Sequence, residues 1–177
     1  LSSPVEVELL PGAAESLQRM ARAGYQLFLL SNQSGIGRGY FCQSDLKRVH
    51  TELQRQLLPY GVAFRGCLHC PHAPQDECAC RKPRTGMWRS LQREFGVRAE
   101  QCLAVGDKIT DVLFGKNAGL GATALVLTGH GALEAREHGI PEPKGSWREE
   151  EGPRPWEWPD VTARDLEGVC AWLLRHA

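Results

Sequence analysis

The segment Cys70-Pro71-His72-Ala73-Pro74-Gln75-Asp76-Glu77-Cys78-Ala79-Cys80-Arg81-Lys82-Pro83 constrains this chain more than any other. A C-x-H pair and a C-x-C pair, five residues apart, place four soft metal ligands within eleven residues. Three thiolates and one imidazole make a closed tetrahedral set of the kind structural zinc takes. Unrelated buried cysteines are the bland alternative, and such close clustering argues against it. The spacing predicts a zinc knuckle held by Cys70, His72, Cys78 and Cys80, with no coordination position open to water and His69 as the nearest rival ligand. Two prolines in so short a loop leave little room for regular structure. The expected job of the knuckle is to fix the loop that presents Arg81 and Lys82.

A chain of 177 residues is expected to form one domain, 1–177, with a core large enough to need no disulfides. The cysteines number seven. Cys42, Cys67, Cys102 and Cys170 are scattered, which fits a reducing compartment and a cytoplasmic location. A formal net charge of zero argues against a nucleic-acid footprint or a polybasic membrane patch. No apolar run approaches the ~20 residues of a membrane span, and the first residues do not read as a signal peptide. The sequence opens on Leu1 rather than Met and is expected to begin partway through a gene product.

Val5, Val7 and Leu9 alternate with Glu6 and Glu8, which predicts a half-exposed strand or arm. Ala13 to Ala23 reads as a helix closed by Gly24. Leu27 to Leu30 is an apolar run of the buried parallel-strand type, followed by the glycine-rich stretch from Ser31 to Gly39. Gln43 to Leu58 reads as a helix capped by Ser44, Gly66 to His69 as a short strand and Thr85 to Phe95 as a helix. Cys102 to Val105 and Thr123 to Leu127 read as buried strands, with a helix to about Ala118 between them. Residues 141–160, rich in Pro, Glu, Arg and Trp, read as a loop-rich insert in which Trp147, Trp156 and Trp158 cover the core or, less readily, line a pocket. Val161 to Leu174 reads as a closing amphipathic helix. Alternating strands and helices predict an α/β fold with a parallel sheet, whose chemistry collects beyond the carboxyl ends of the strands.

Candidate groups gather at those ends. Ser31 closes one strand and opens a glycine-rich turn, where a hydroxyl and the following N–H groups make an anion cradle. Arg81 and Lys82 clamp a phosphate, neutralise a carboxylate, or stand as solvated charges. Asp107 leaves a strand and Asp111 follows one helical turn later. Such a pair suits magnesium, which takes few protein carboxylates and completes its shell with water and phosphate. Asp107 as a simple helix N-cap is the alternative.

Taken in order, a hydroxyl at a strand end, a basic residue and an acidic pair resemble the haloacid dehalogenase superfamily of phosphatases. Ser31-Asn32-Gln33-Ser34-Gly35, the knuckle running into Arg81-Lys82-Pro83, and Gly106-Asp107-Lys108 are similar to the bacterial D-glycero-D-manno-heptose 1,7-bisphosphate phosphatases. The related histidinol-phosphatases share the zinc loop. The resemblance runs from about Pro4 to Gly129, and Asp160 to Leu174 matches the family's final strand and helix.

The resemblance implies a Rossmann-like parallel-sheet domain with an inserted zinc knuckle (70–83). It also implies a magnesium-dependent phosphatase of heptose and lipopolysaccharide metabolism that removes the C7 phosphate of the bisphosphate. Histidinol phosphate as substrate, or a catalytically dead, zinc-stabilised binding module, are the competing readings. In the implied roles Ser31 binds the transferring phosphoryl group and Asn32, Gln33 and Ser34 shape the substrate loop. Arg81 and Lys82 contact phosphate, Lys108 touches substrate, Asp107 ligates magnesium and Asp111 supports the site. The implied partner is a phosphorylated small molecule, not nucleic acid or membrane, and the implied state is a monomer.

The family's nucleophile lies in an Asp-x-Asp-Gly-Thr motif ending its first strand. The first Asp attacks phosphorus, and the second protonates the leaving oxygen. The acids preceding Ser31 here are Glu6, Glu8 and Glu15. The expectation is therefore a fold whose first strand is missing and a chain that is inactive as given. The strands ending at Ser31 and Val105 are then either held apart or closed up to pair directly. Val5 to Leu9 is a poor replacement, because its glutamates would be buried.

Overall fold

The computed structural model describes residues 2–175. It divides into two compact units, Leu1–Arg81 and Lys82–Ala177.

In the first unit, helix α1 (Ala13–Arg22) buries Ala14, Ser16 and Met20, and partly buried Leu17 lies between Ala14 and Met20 on the core side. Strand β1 (Phe28–Asn32) follows, then a one-turn helix α2 (Ser34–Gly37) and the long helix α3 (Gln43–Leu57). Strand β2 (Gly66–Cys70) pairs parallel with β1, from Phe28 opposite Gly66 to Asn32 opposite Cys70. Ala14, Leu57 and Val62 form the centre of this unit, with Leu17, Leu27, Leu53 and Phe64 packed around them. The register brings Ser31 and Asn32 level with His69 and Cys70, so the glycine-rich loop and the knuckle leave the same end of adjacent strands.

In the second unit, helix α4 (Gly86–Phe95) buries Met87, Trp88 and Leu91. Strand β3 (Leu103–Gly106), helix α5 (Ile109–Asn117), strand β4 (Ala122–Val126) and helix α6 (Gly131–Glu137) follow. Strand β5 (Trp147–Glu149), strand β6 (Val161–Ala163) and helix α7 (Leu166–Arg175) complete the unit. The sheet runs β3-β4-β6-β5; β3, β4 and β6 are parallel and β5 is antiparallel to β6. Ile109, Val112, Leu125, Ala135 and Ile140 form a core cluster between the sheet and its helices, with Trp158 packed against it. Asp160, just before β6, accepts hydrogen bonds from the Thr123 amide and hydroxyl, both at 2.8 Å. It also pairs with Arg154 and, at 3.7 Å, with Lys116. Among the described residues no helix is long and apolar enough to cross a membrane.

Four local expectations are corrected. Val5 to Leu9 is not a strand: Pro4–Glu6 is a 3-10 turn, and Val5 is 91% exposed. Pro4 fixes the first φ, and the Glu6 carboxylate turns back to accept from the Ser2 amide at 2.8 Å, so local capping overrides the alternation. The cap of α3 is Cys42, whose amide donates to Asp45 at 2.8 Å; Ser44 lies inside the helix. Val161 to Ala163 is a strand, as the resemblance implies, and not the start of the helix that the periodicity predicts; β-branched Val161 and Thr162 extend the sheet beside β4. The 141–160 insert contains β5, and Trp156 is 60% exposed rather than covering the core. The strands ending at Asn32 and Gly106 belong to separate sheets, so they are not paired directly.

Candidate active site and metal knuckle

In the first unit β2 delivers Cys70 to the start of the knuckle, fully buried. A turn at Pro74–Asp76, closed by the Ala73 amide on the Asp76 carboxylate at 2.8 Å, brings the chain back to Cys78 and Cys80. Among the described residues this short 3-10 turn is the only regular structure between the two ligand pairs. The four ligand atoms lie within 4.8 Å of one another. Cys80 Sγ is 3.1 Å from Cys70 Sγ, 3.5 Å from Cys78 Sγ and 3.3 Å from His72 Nδ1. Cys70 Sγ is 3.4 Å from Cys78 Sγ and 3.6 Å from His72 Nδ1. Zinc bonds of about 2.1–2.3 Å give tetrahedral edges of about 3.4–3.8 Å, so the donors are gathered close to the separation that zinc imposes. His69 turns elsewhere; its ring stands edge-on to His50, 6.4 Å between centroids.

The thiol chemistry fits a cation. Burial, reinforced by the hydrogen bond with Cys80, pushes the Cys70 thiol up to about 12. Burial likewise raises Cys80. Burial also opposes ionisation of Cys78, but its hydrogen bonds with Cys70 and Cys80 bring it down to about 7. Three crowded thiols resist joint ionisation in the absence of a positive charge, and a divalent metal supplies that charge.

The candidate phosphate loop leans on the knuckle. The Gln33 amide donates to the Cys70 carbonyl at 2.7 Å and the Gly37 amide to the Pro71 carbonyl at 2.8 Å. A Cβ at Gly37 would stand 2.8 Å from that carbonyl oxygen, so only glycine permits the approach. Ser31 Oγ accepts from Gln33 Nε2 at 2.8 Å. Ser31, Asn32, Gln33 and Ser34 are all half-buried. Arg81 is half-buried, its guanidinium 3.5 Å from the His72 carbonyl.

In the second unit Lys82 Nζ meets Asp111 Oδ1 at 2.7 Å, each side chain only 13% exposed. Asn117 holds the following residue, donating to the Pro83 carbonyl at 3.0 Å. The acidic pair divides its labour. Asp111 Oδ2 also accepts from the Lys108 amide at 3.2 Å, which is the capping contact of α5. Asp107 therefore does not cap that helix. Its Oδ2 accepts instead from the His130 amide at 2.9 Å, in the turn between β4 and α6. The Ile109 amide donates to Glu134 at 2.9 Å, a second tie from α6 to the start of α5. Lys108 is exposed beside them. Sequence reasoning missed Glu134 and the Gly129-His130-Gly131 turn. The signal was present, because Thr128-Gly129-His130-Gly131 follows a buried strand and opens a helix, as the Ser31 loop does.

In each unit, parallel strands carry polar groups beyond their carboxyl ends, an arrangement of the haloacid dehalogenase type of hydrolase. Consistently, the HAD-hydrolase-like family model matches residues 79–149. The chain is 37% identical to the D-glycero-beta-D-manno-heptose-1,7-bisphosphate 7-phosphatase of Bordetella bronchiseptica, over 80% of this chain and 79% of that protein. It is 36% identical to the corresponding enzyme of Neisseria meningitidis serogroup A, over 74% and 71%. The crystal structure of the B. bronchiseptica D,D-heptose 1,7-bisphosphate phosphatase, complexed with magnesium and phosphate, matches with a TM-score of 0.83 at 35% identity. That match covers 99% of this chain and 89% of that one. A HAD-like phosphatase structure from Mesorhizobium loti matches with a TM-score of 0.72 at 26% identity, over 98% of this chain and 76% of that one. The chain belongs to the heptose-1,7-bisphosphate 7-phosphatase family of haloacid dehalogenase-like hydrolases.

Proposed function

We propose that this chain serves the hydrolysis of a sugar phosphate, removing the C7 phosphate of D-glycero-D-manno-heptose 1,7-bisphosphate in the cytoplasm as a monomer. The observation that carries the reading is the 37% identity to the Bordetella enzyme over 79% of its length. The site chemistry supports it. Ser31 and the amides after it bind the transferring phosphoryl group, and Asn32, Gln33 and Ser34 shape the loop around the sugar. Arg81 contacts a phosphate oxygen. Lys82, oriented by Asp111 at 2.7 Å, contacts phosphate and balances the carboxylates beside it. Lys108, exposed at the start of α5, touches substrate.

Asp107 fits a magnesium ligand: it is a half-buried hard oxygen donor at a strand's carboxyl end, with one oxygen committed to His130. Magnesium, when bound there, neutralises charge on the phosphoryl oxygens. Cys70, His72, Cys78 and Cys80 hold structural zinc, which keeps the Ser31 loop and Arg81 in place. Transfer through an aspartyl-phosphate requires an aspartate nucleophile. The acids before Ser31 are all glutamates, so we ascribe no turnover to these 177 residues alone.

Phosphate release by the full-length gene product, followed over a panel containing the heptose bisphosphate and histidinol phosphate, tests the reading. The expected result is a kcat/KM for the heptose bisphosphate at least about tenfold above the others, equivalent to about 1.4 kcal/mol of transition-state discrimination. Phosphorus NMR should show the C1 phosphate retained. Preference for histidinol phosphate, or loss of the C1 phosphate, overturns the assignment.

A further inference from the structure

Asp107 is a single carboxylate at the end of a strand, and its aim decides what it can bind. The turn from Gly129 to Gly131 wraps around it. The His130 amide donates to Asp107 Oδ2 at 2.9 Å. Gly129, at φ +60°, lies so close that a Cβ there would stand 2.3 Å from the same oxygen and 3.2 Å from the carboxylate carbon. Gly131 is equally confined: a Cβ would overlap the Val126 carbonyl, so the turn cannot shift back toward β4 to relieve pressure at Gly129. The amide fixes one carboxylate oxygen, and the bare face of Gly129 leaves the carboxylate the space to accept that bond. The acidic partner does not share this clamp, because Asp111 is engaged by Lys82 and the Lys108 amide.

We infer that Gly129 is a positioning residue: together with the His130 amide it sets the orientation in which Asp107 presents its other oxygen to a divalent cation. This rests on the reading of Asp107 as a magnesium ligand. A group that orients a metal-binding carboxylate from outside the coordination shell typically controls 10–100-fold in metal affinity.

Gly139 supplies the control. It has φ +65° and nothing within 4 Å of where a Cβ would stand, so Gly139→Ala incurs a comparable left-handed backbone cost without touching a carboxylate. Gly129→Asn is the complementary variant, since Asn tolerates the left-handed region yet still carries a Cβ.

The experiment is a titration of the full-length protein with Mn2+ as the probe, the free ion being read by electron paramagnetic resonance, with thermal unfolding measured in parallel. Gly129→Ala and Gly129→Asn are each expected to raise the Mn2+ dissociation constant at least about tenfold, while Gly139→Ala stays within twofold of the parent. In an Asp107→Asn background, adding Gly129→Ala should change Mn2+ affinity no further, which a general structural defect would not reproduce. If Asp107→Asn weakens Mn2+ binding but both Gly129 variants bind like Gly139→Ala, the positioning role is overturned and the metal assignment stands. If Asp107→Asn leaves Mn2+ affinity unchanged, the metal assignment itself fails and the positioning role with it.

Discussion

Replacing Lys82 by Met removes the positive partner of Asp111 and keeps the length of the side chain. The two charges are 2.7 Å apart and each side chain is 13% exposed. At an effective dielectric of ~20 their Coulomb attraction is about 6 kcal/mol before desolvation, and drawing each ion out of water offsets several kcal/mol of that. Breaking such a pair from one side costs about 3–5 kcal/mol when it is fully buried. The residual exposure here, and the Lys108 amide that still bonds Asp111, bring the expected loss to about 2–3 kcal/mol. For a chain of this size that corresponds to a fall in Tm of about 4–12 °C. Urea unfolding of Lys82→Met, Asp111→Leu and the double variant measures it, with the m-value as a check on two-state behaviour. The double variant should recover most of the loss, because it leaves no uncompensated charge. A single variant within about 0.5 kcal/mol of the parent, or a double variant no better than the single, would falsify the argument that this pair is buried and coupled.

The purified chain should carry about one zinc, and Cys78→Ser should lose it while opening the 70–83 loop to proteases without unfolding the α5–β4 core. Zinc loading at pH 7 should release about two to three protons, because the raised Cys70 and Cys80 thiols hold theirs and the lowered Cys78 thiol is partly ionised. Calorimetry in buffers of different ionisation enthalpy counts them, and release of fewer than one contradicts the thiol assignment. Burial of Asp160 raises its pKa, but the Thr123 hydrogen bonds and the Lys116 charge outweigh it and leave the value below the usual 3.8. Its contribution is therefore complete above the unfolded pKa and disappears as pH falls through the lowered folded one. Asp160→Asn should reduce stability at neutral pH and flatten its decline below about pH 4; urea midpoints from pH 2.5 to 7 showing an unchanged slope would contradict this.

Much of the fold and most of the candidate site residues could be read in the chain itself because they are local. The ligands Cys70, His72, Cys78 and Cys80 sit so close in sequence that their convergence needs one turn, and the structure supplies it at Pro74–Asp76. The strands that end at Asn32 and Gly106 announced themselves as apolar runs, but they are less buried than such runs predict: β1 is half-buried throughout and Val105 in β3 is 38% exposed. Ser31 and Asp107 followed as the first polar groups beyond them.

Long-range contacts decided the rest. Val5 to Leu9 had the period of a strand but no neighbour to pair with, and a cap from Glu6 took the segment instead. Val161 to Ala163 read by periodicity as the start of a helix and instead pairs with β4 as a strand. Asp107 and Asp111 looked like an equivalent pair at helical spacing. They are not, because a turn twenty-odd residues later reaches Asp107 and a lysine nearly thirty residues earlier holds Asp111. Spacing along one element predicts which face a side chain takes. Its partner, and hence its chemical role, depends on what other segments bring to that face, and that is set only when the sheet and its loops pack.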